Sequence, residues 1–137
     1  MPKKVLVVDD HEATRKLIRA VLERERNETI EVVEAANGKE CLKAFEAGGD
    51  FDLVLLDVGL PDIDGFALCR GLRNVDKDVP IVFVTGKTEL KDFNAGREAG
   101  GDSYLVKPIS RTALRSLVGL FTGMRRRKGQ DGAASGG

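Results

Sequence analysis

The sequence has few of the residues that stabilise small extracellular domains or that mark membrane proteins. Its 137 residues contain only two cysteines, Cys41 and Cys69, no tryptophan and one tyrosine. Two cysteines cannot build a disulfide framework, and a chain of this length buries its own core, so we expect two buried, reduced thiols. No apolar run is long enough for a membrane span or a signal peptide. We therefore expect a cytoplasmic protein with no membrane association.

An excess of charge of one sign is also missing. The 22 basic and 22 acidic side chains cancel, which argues against a protein whose main task is to coat DNA or an anionic membrane. The balance hides an uneven distribution, because residues 125–137 hold four basic residues and one acid. Without them, 18 basic residues stand against 21 acidic ones, so residues 1–124 are net acidic by three.

Apolar runs of strand length alternate with segments of helical periodicity along the chain. The predicted strands are residues 5–8, 30–33, 53–56, 80–84 and 103–106. The predicted helices cover 12–26, a segment between the Asn37-Gly38 turn and the Gly48-Gly49 pair that stops it, about 65–74, about 88–99, and a segment capped by Ser110. Five strands alternating with five helices predict a parallel sheet that is covered on both faces. Gly96 lies inside the fourth helix, which we therefore expect to be the most mobile of the five.

Residues 125–137 differ in composition from the rest of the chain. The run Arg-Arg-Arg-Lys at 125–128 is followed by Gly, Ala and Ser, without a large apolar side chain to bury. We expect a domain over 1–124 and a flexible tail over 125–137. Four charges without a recognition helix or an aromatic platform are a weak signal for nucleic acid, and a solvated helix end is the favoured interpretation.

Polar residues follow four of the predicted strands. Asp9 and Asp10 follow the first, Asp57 the third, Thr85 the fourth and Lys107 the fifth. These positions meet at one edge of a parallel sheet, where three carboxylates repel one another unless a cation relieves them. Oxygen ligands suit Mg²⁺, which commonly assists phosphoryl transfer. The set predicts such a site, with Asp57 as nucleophile and with Lys107 and Thr85 as contacts of the phosphoryl oxygens.

Four segments of the sequence resemble the receiver domain of two-component response regulators, the CheY-like family. They are residues 5–10, 55–65, 82–86 and 99–108, and together they span about residues 3–124. The resemblance implies a flavodoxin-like, doubly wound (βα)5 fold with the strand order 2-1-3-4-5. It also implies a regulatory domain whose only catalytic activities are the acceptance of a phosphoryl group and its hydrolysis.

The resemblance assigns a role to each acidic residue of the set. Asp57 would accept the phosphoryl group from a phosphohistidine on a histidine kinase or a histidine phosphotransfer protein. Asp10, Asp57 and the backbone carbonyl of Gly59 would bind Mg²⁺, for which Mn²⁺ can substitute, and Asp9 would act through a metal-bound water. Gly59 and Lys87 stand at positions that vary in the family and tune the phosphoryl lifetime, which therefore stays open.

The resemblance also implies how the switch works. Thr85 and Lys107 would engage the phosphoryl group, and Tyr104 would turn inward as Thr85 moves. The Lys107-Pro108 bond matches a position where the family uses a cis peptide, which proline permits. The fourth helix, fifth strand and fifth helix would form the surface that binds a downstream protein target or an output domain. Both a monomer and a phosphorylation-dependent dimer are compatible with this scheme.

Other interpretations of the sequence are weaker. A phosphohydrolase of the haloacid dehalogenase type resembles this pattern but needs a second aspartate two positions after the nucleophile, where this chain has Gly59. A receiver that is a piece of a larger regulator or of a hybrid kinase is a further alternative. His11 is the only histidine. We interpret it as a polar residue near the start of a helix rather than as a residue that relays phosphoryl groups.

Overall fold

The computed structural model describes residues 2–24 and 29–124, and a parallel five-stranded sheet forms its centre. The strands are β1 (Lys3–Val8), β2 (Ile30–Ala35), β3 (Leu53–Leu56), β4 (Ile81–Thr85) and β5 (Ser103–Val106). Their order across the sheet is β2-β1-β3-β4-β5. The doubly wound order expected from the sequence is therefore confirmed.

Five helices cover the two faces of this sheet. They are α1 (Glu12–Glu23), α2 (Gly38–Gly48), α3 (Gly65–Val75), α4 (Leu90–Glu98) and α5 (Arg111–Met124). Side chains of β1 alternate between the faces, so that Leu6 and Val8 join one buried cluster while Val5 and Val7 join the other. The first cluster includes side chains of α2 and α3, and the second includes side chains of α1 and α5.

Several boundaries differ from the predicted ones, for reasons that lie in the backbone. Strand β1 begins at Lys3 rather than at residue 5, because the Lys3 N–H donates to the Thr29 carbonyl at 2.9 Å whatever the polarity of its side chain. Strand β2 continues to Ala35, whose carbonyl accepts from Asp9 at 3.0 Å. Strand β4 begins after Pro80, which has no N–H to donate.

Two predicted helices are shorter than expected. Helix α1 ends at Glu23 rather than at residue 26, with Arg24 as its C-terminal cap. Helix α4 spans Leu90–Glu98 rather than 88–99, because the Glu89 N–H is taken by the Asp92 carboxylate at 3.2 Å, as in a helix cap. The predicted tail, residues 125–137, lies outside the described residues.

The interior glycine of α4 has a packing role in addition to its effect on helix stability. Gly96 is the buried residue of this helix, and a Cβ there would lie 3.2 Å from two ring carbons of Phe83 and 3.3 Å from Tyr104. Its lack of a side chain lets α4 approach β4 and β5 closely.

Both thiols are free and buried, which confirms the expectation for Cys41 and Cys69.

In the two stretches that the structure describes, no helix combines the length and the apolar character needed to cross a lipid bilayer.

Candidate functional site

The carboxyl ends of β1 and β3 bring the predicted acidic residues together. The two strands are neighbours, and the Asp57 N–H donates to the Val8 carbonyl at 2.9 Å. Asp9 and Asp57 are buried, with 2% and 5% of their surface exposed, whereas Asp10 lies at the surface. One possible ligand atom from each of Asp9, Asp10, His11 and Asp57 lies within 4.8 Å of the others.

Lys107 provides the positive charge at this cluster. Its Nζ lies 2.8 Å from Asp9 Oδ2 and 3.2 Å from Asp57 Oδ2. Burial by itself would lower the pKa of the Lys107 amine, but the hydrogen bond to Asp9 and the charges of Asp57 and Asp9 raise it above its ordinary value. The amine therefore stays protonated at neutral pH. The Lys107–Pro108 peptide bond that follows is cis.

The loop after β1 is held by residues that sequence reasoning missed. Arg15 Nη1 donates to the Asp9 carbonyl at 2.7 Å, and Arg15 Nε pairs with Glu34 on β2 at 3.0 Å. Arg19 binds the second oxygen of Glu34 at 2.7 Å. Glu34 anchors both guanidinium groups, and Arg15 fixes the backbone that carries Asp9 and Asp10. The available signal was Glu34, a partly buried acid near the end of a strand that also carries the exposed Glu31.

The loop after β3 depends on a glycine next to Asp57. A Cβ at Gly65 would overlap the backbone oxygen of Asp57 and the Cα of Val58, and both are main-chain atoms that cannot rotate away. The Gly65 N–H also donates to the Val58 carbonyl at 2.9 Å. The start of α3 thus lies directly against the backbone of Asp57.

Two aspartates of this loop serve as helix caps. Asp62 accepts from the N–H groups of Gly38 and Lys39, at 2.9 and 3.0 Å, and so covers the start of α2. The hydrogen bond from Gly38 is the main cause that lowers the pKa of Asp62. Asp64 accepts from Phe66 at 2.7 Å at the start of α3. Both carboxylates are therefore engaged by helix N-termini.

Thr85 and Tyr104 are connected through the loop that follows β4. Thr85 is buried, and its Oγ1 accepts from the Lys87 N–H at 3.4 Å, while the Tyr104 hydroxyl donates to the Lys87 carbonyl at 2.9 Å. The Tyr104 ring centroid lies 4.6 Å from that of Phe93 on α4 and 5.9 Å from that of Phe83 on β4. Burial, followed by the charges of Asp92 and Asp57, raises the pKa of Tyr104 to about 12.

A small cavity lies beside this tyrosine, between α4 and β5. Its volume is about 150 Å³, and its lining includes Phe83, Phe93, Gly96 and Tyr104. Gly96 and Gly101 both face the ring of Phe83, and their lack of side chains leaves this space open. The cavity therefore adjoins the ring of the residue that the sequence predicts to move.

The donor set fits Mg²⁺. Three carboxylates face one lysine, so the cluster has a net negative charge, and its oxygen ligands match the preference of this ion. Asp9 is already engaged, because Oδ1 accepts from the His11 N–H at 2.8 Å and Oδ2 lies against Lys107. The corresponding contacts of Asp57 are longer, 3.3 Å from the Gly59 N–H to Oδ1 and 3.2 Å from Lys107 Nζ to Oδ2, and Asp10 is exposed. These two carboxylates are therefore better placed for direct contact with an ion, which fits an indirect role for Asp9.

Comparison with known proteins identifies relatives of one kind. A family model described as "Response regulator receiver domain" matches residues 5–119. The transcriptional regulatory protein ResD of Bacillus subtilis is 46% identical over 108 residues, which cover 78% of this chain and 42% of ResD. The regulatory protein PhoP of the same species, named for alkaline phosphatase synthesis, is 42% identical over 118 residues, covering 86% and 48%. This chain spans about half the length of the curated relatives it matches.

Solved structures agree with this result. A CheY-like receiver domain from Methanospirillum hungatei JF-1 superimposes with a TM-score of 0.83 at 29% identity, covering 90% of this chain and 96% of that one. A two-component response regulator from Clostridium difficile gives a TM-score of 0.81 at 29% identity, covering 87% and 94%. These matches are to regulators, and together with Gly59 they leave the phosphohydrolase alternative without support.

Proposed function

Because the chain belongs to the response regulator receiver domain family, we propose that Asp57 is its phosphoacceptor and that phosphorylation switches its surface. One observation carries the assignment: a protonated amine, Lys107 Nζ, lies 3.2 Å from the buried carboxylate of Asp57 at the end of the sheet. Asp10 stands beside this pair. A nucleophilic carboxylate, a fixed cation and a place for a metal are the groups that phosphoryl transfer needs.

The transfer would proceed by in-line attack of an Asp57 oxygen on the phosphorus of a phosphohistidine. The new P–O bond forms as the P–N bond breaks, and the imidazole nitrogen that leaves takes up a proton. Mg²⁺, held by Asp10, Asp57 and the carbonyl of Gly59, would neutralise charge on the transferred group. Lys107 supplies a fixed positive charge for one phosphoryl oxygen, and the Thr85 hydroxyl supplies a hydrogen bond for another.

The same contacts suggest how the surface would respond. The phosphoryl group would draw Thr85 toward it, and this shift would disturb the Lys87 segment that both Thr85 and the Tyr104 hydroxyl contact. Tyr104, whose ring already contacts Phe93 of α4, would then give up its hydrogen bond to the Lys87 carbonyl and turn further inward. The phosphoryl group would thus shift the population between two packings, because it makes better contacts in one of them.

The partners follow from the family. We expect a histidine kinase or histidine phosphotransfer protein as the donor and a protein target or output domain on the surface of α4, β5 and α5. Since the curated relatives are about twice as long as the match, the output belongs to a further domain or a separate protein. The acidic body of residues 1–124 does not favour nucleic acid as a direct ligand. Two buried, unpaired thiols fit the reducing cytoplasm.

Intact-mass measurement tests the phosphoacceptor. Incubation with acetyl phosphate and Mg²⁺ should add one phosphoryl group to the chain, and Asp57→Asn should abolish the addition. Asp50→Asn is the matched control, because it makes the same chemical change at an exposed residue before β3, where a φ of 52° suits asparagine. Phosphorylation that survives Asp57→Asn, or that is absent from the folded parent chain, would refute the assignment.

A further inference from the structure

The single histidine of the chain lies at the proposed cation site. His11 Nδ1 is 3.2 Å from Asp9 Oδ1 and 3.2 Å from Asp10 Oδ1. A ligand nitrogen of the same ring lies within 4.8 Å of an Asp57 oxygen. The ring thus shares the space between the carboxylates to which the metal is assigned.

The fold does not account for this position of the ring. His11 precedes α1 as its N-terminal cap, but its side chain makes no capping hydrogen bond. The side chain is 66% exposed, so core packing does not hold the ring either. The described polar contacts of the ring are with the acidic pair, and the backbone N–H of His11 also donates to Asp9.

Imidazole nitrogen and carboxylate oxygen favour different divalent ions. Mg²⁺ prefers oxygen ligands and keeps several waters, so an added imidazole contributes little to its binding. Mn²⁺, Co²⁺ and Zn²⁺ accept imidazole, and their affinity for mixed nitrogen and oxygen sites rises along the series from Mn²⁺ to Co²⁺. A histidine beside two or three carboxylates therefore changes which ions the site selects.

On the basis of the cation site proposed above, we propose that His11 is a metal-selectivity residue, whose neutral imidazole binds Co²⁺, Zn²⁺ and Mn²⁺ together with Asp10 and Asp57. Binding exchanges the contacts of the ring with the two aspartates for one bond to the metal. Mg²⁺ uses the carboxylates and waters alone. The site then binds transition metals as well as Mg²⁺, and His11 determines their relative affinities.

Titration calorimetry of the untagged chain, with each metal alone, measures this selectivity. His11→Ala should weaken the binding of Co²⁺ and Zn²⁺ by at least about tenfold, as the loss of a ligand or its support typically does, and should change Mg²⁺ affinity by less than about twofold. His11→Asn replaces the ring with an amide that offers a harder oxygen, and it should also fail to restore Zn²⁺ binding. Because the ring is exposed, both variants should keep the circular dichroism of the parent.

Nuclear magnetic resonance gives a second readout without an assignment problem, because the chain has one histidine. Zn²⁺ should shift the ring ¹⁵N resonances of His11, whereas Mg²⁺ should leave them nearly unchanged. Ring resonances that do not shift with Zn²⁺, or the same ratio of Zn²⁺ to Mg²⁺ affinity in the parent and in His11→Ala, would overturn the role of His11. Either result would leave the proposed Mg²⁺ site intact. A parent chain that binds no divalent ion would overturn the cation site itself. Mass gain of the parent chain with Mg²⁺ and acetyl phosphate, measured alongside, tests Asp57 separately from the role of His11.

Discussion

Lys107 neutralises two buried carboxylates at once, and this makes it a structural residue as well as a site residue. Its Nζ contacts both Asp9 and Asp57, which are almost fully buried. A buried carboxylate that loses its partner retains the cost of its desolvation. Among the described residues, Lys107 is the amine paired with both carboxylates, so we expect the stability of this edge of the sheet to depend on it before any metal binds.

Replacement of Lys107 by methionine tests this dependence. In the presence of EDTA, Lys107→Met should lower the free energy of unfolding by about 1–3 kcal/mol, because two acceptors lose their cation. Mg²⁺ should reduce the loss, since it replaces the missing charge in the folded state only. Urea denaturation with and without Mg²⁺ measures both effects. Lys91→Met is the control, because that exposed amine pairs with exposed Glu89 at 3.6 Å and should matter by less than about 0.5 kcal/mol. Equal losses in the two variants would contradict the argument.

The two thiols should be unreactive until the chain unfolds. Burial, with a smaller effect from the charge of Asp62, raises the pKa of Cys41 to about 12, and burial raises that of Cys69 to about 11, both from an ordinary value of 9.0. Thiolate is the reactive form, so a disulfide reagent at pH 8 should label neither cysteine in the native protein and both in denaturant. Rapid labelling of the native chain would show that one of the helices opens.

The raised pKa values of the two thiols also make the stability of the fold depend on pH. A pKa that is higher in the folded state than in the unfolded state means that the unfolded chain loses its proton first as the pH rises. The contribution of the two thiols to stability is therefore complete below pH 9 and is lost as the pH rises through about 11 to 12. The free energy of unfolding of the parent should fall faster in this range than that of Cys41→Ala and Cys69→Ala variants.

Which side chains meet at the site could be expected from their positions after strands, but their contacts could not. Asp57 and Lys107 are fifty residues apart and follow β3 and β5, which β4 separates in the sheet, so their contact is seen only in the three-dimensional structure. The contact of Arg15 with the Asp9 carbonyl has no sequence pattern, because it depends on the angle between α1 and the sheet. The placement of the His11 ring between two aspartates depends on a rotamer that the sequence does not specify.

Two glycines, one after α4 and one within α5, differ in what the lack of a side chain does for the fold. Gly101, which follows α4, faces Phe83, whose Cδ2 would lie 2.9 Å from an added Cβ and whose Cε2 would be closer still. Gly119, within α5, has no atom within 4 Å of such a Cβ. Gly101 therefore makes room for an aromatic ring, whereas Gly119 only lowers the helical propensity of its segment.

Alanine substitution should separate these two uses by sign. Gly101→Ala should destabilise the protein by about 1–3 kcal/mol, because the ring of Phe83 or the backbone must move. Gly119→Ala should stabilise it by about 0.5–1 kcal/mol, because the helix gains propensity and nothing is displaced. Denaturant titration of both variants measures the difference. A neutral or stabilising Gly101→Ala would mean that α4 adjusts more freely than its packing suggests.

Element boundaries show where apolar periodicity stops being informative. The pattern locates every strand centre, because buried positions on a covered sheet must be apolar. It misses Lys3 and Lys4 in β1, which pair through their backbones while their side chains remain partly exposed. It also extends α1 and α4 too far, since the caps at Arg24 and Glu89 depend on local backbone geometry.

The whole domain consists of one sheet with a buried cluster on each face, and α5 completes the second cluster with Leu114, Val118 and Phe121. The family match ends at residue 119, within this helix. Thr122, which is fully buried, is the last buried residue that the structure describes, so we expect the basic segment at 125–128 to contribute little to stability.

Deletion of residues 125–137 tests the proposed domain boundary. The shortened chain should unfold with a free energy within about 0.5 kcal/mol of the parent, as expected when no core contact is removed. It should also accept a phosphoryl group at Asp57 as the parent does. Urea denaturation and intact-mass measurement provide the two readouts. If the deletion lowers the free energy of unfolding by more than about 1 kcal/mol, which is outside the usual range for changes away from the core, the domain extends beyond residue 124.

The aromatic composition of the chain has one more consequence, which concerns how the switch can be observed. With no tryptophan and a single tyrosine, the intrinsic tyrosine fluorescence of the protein comes entirely from Tyr104. That ring contacts Phe83 and Phe93, and its hydroxyl is bonded to the segment next to Thr85. The sequence therefore carries its own optical reporter between the proposed phosphorylation site and the proposed binding surface, and no label is needed to follow the proposed transition in real time.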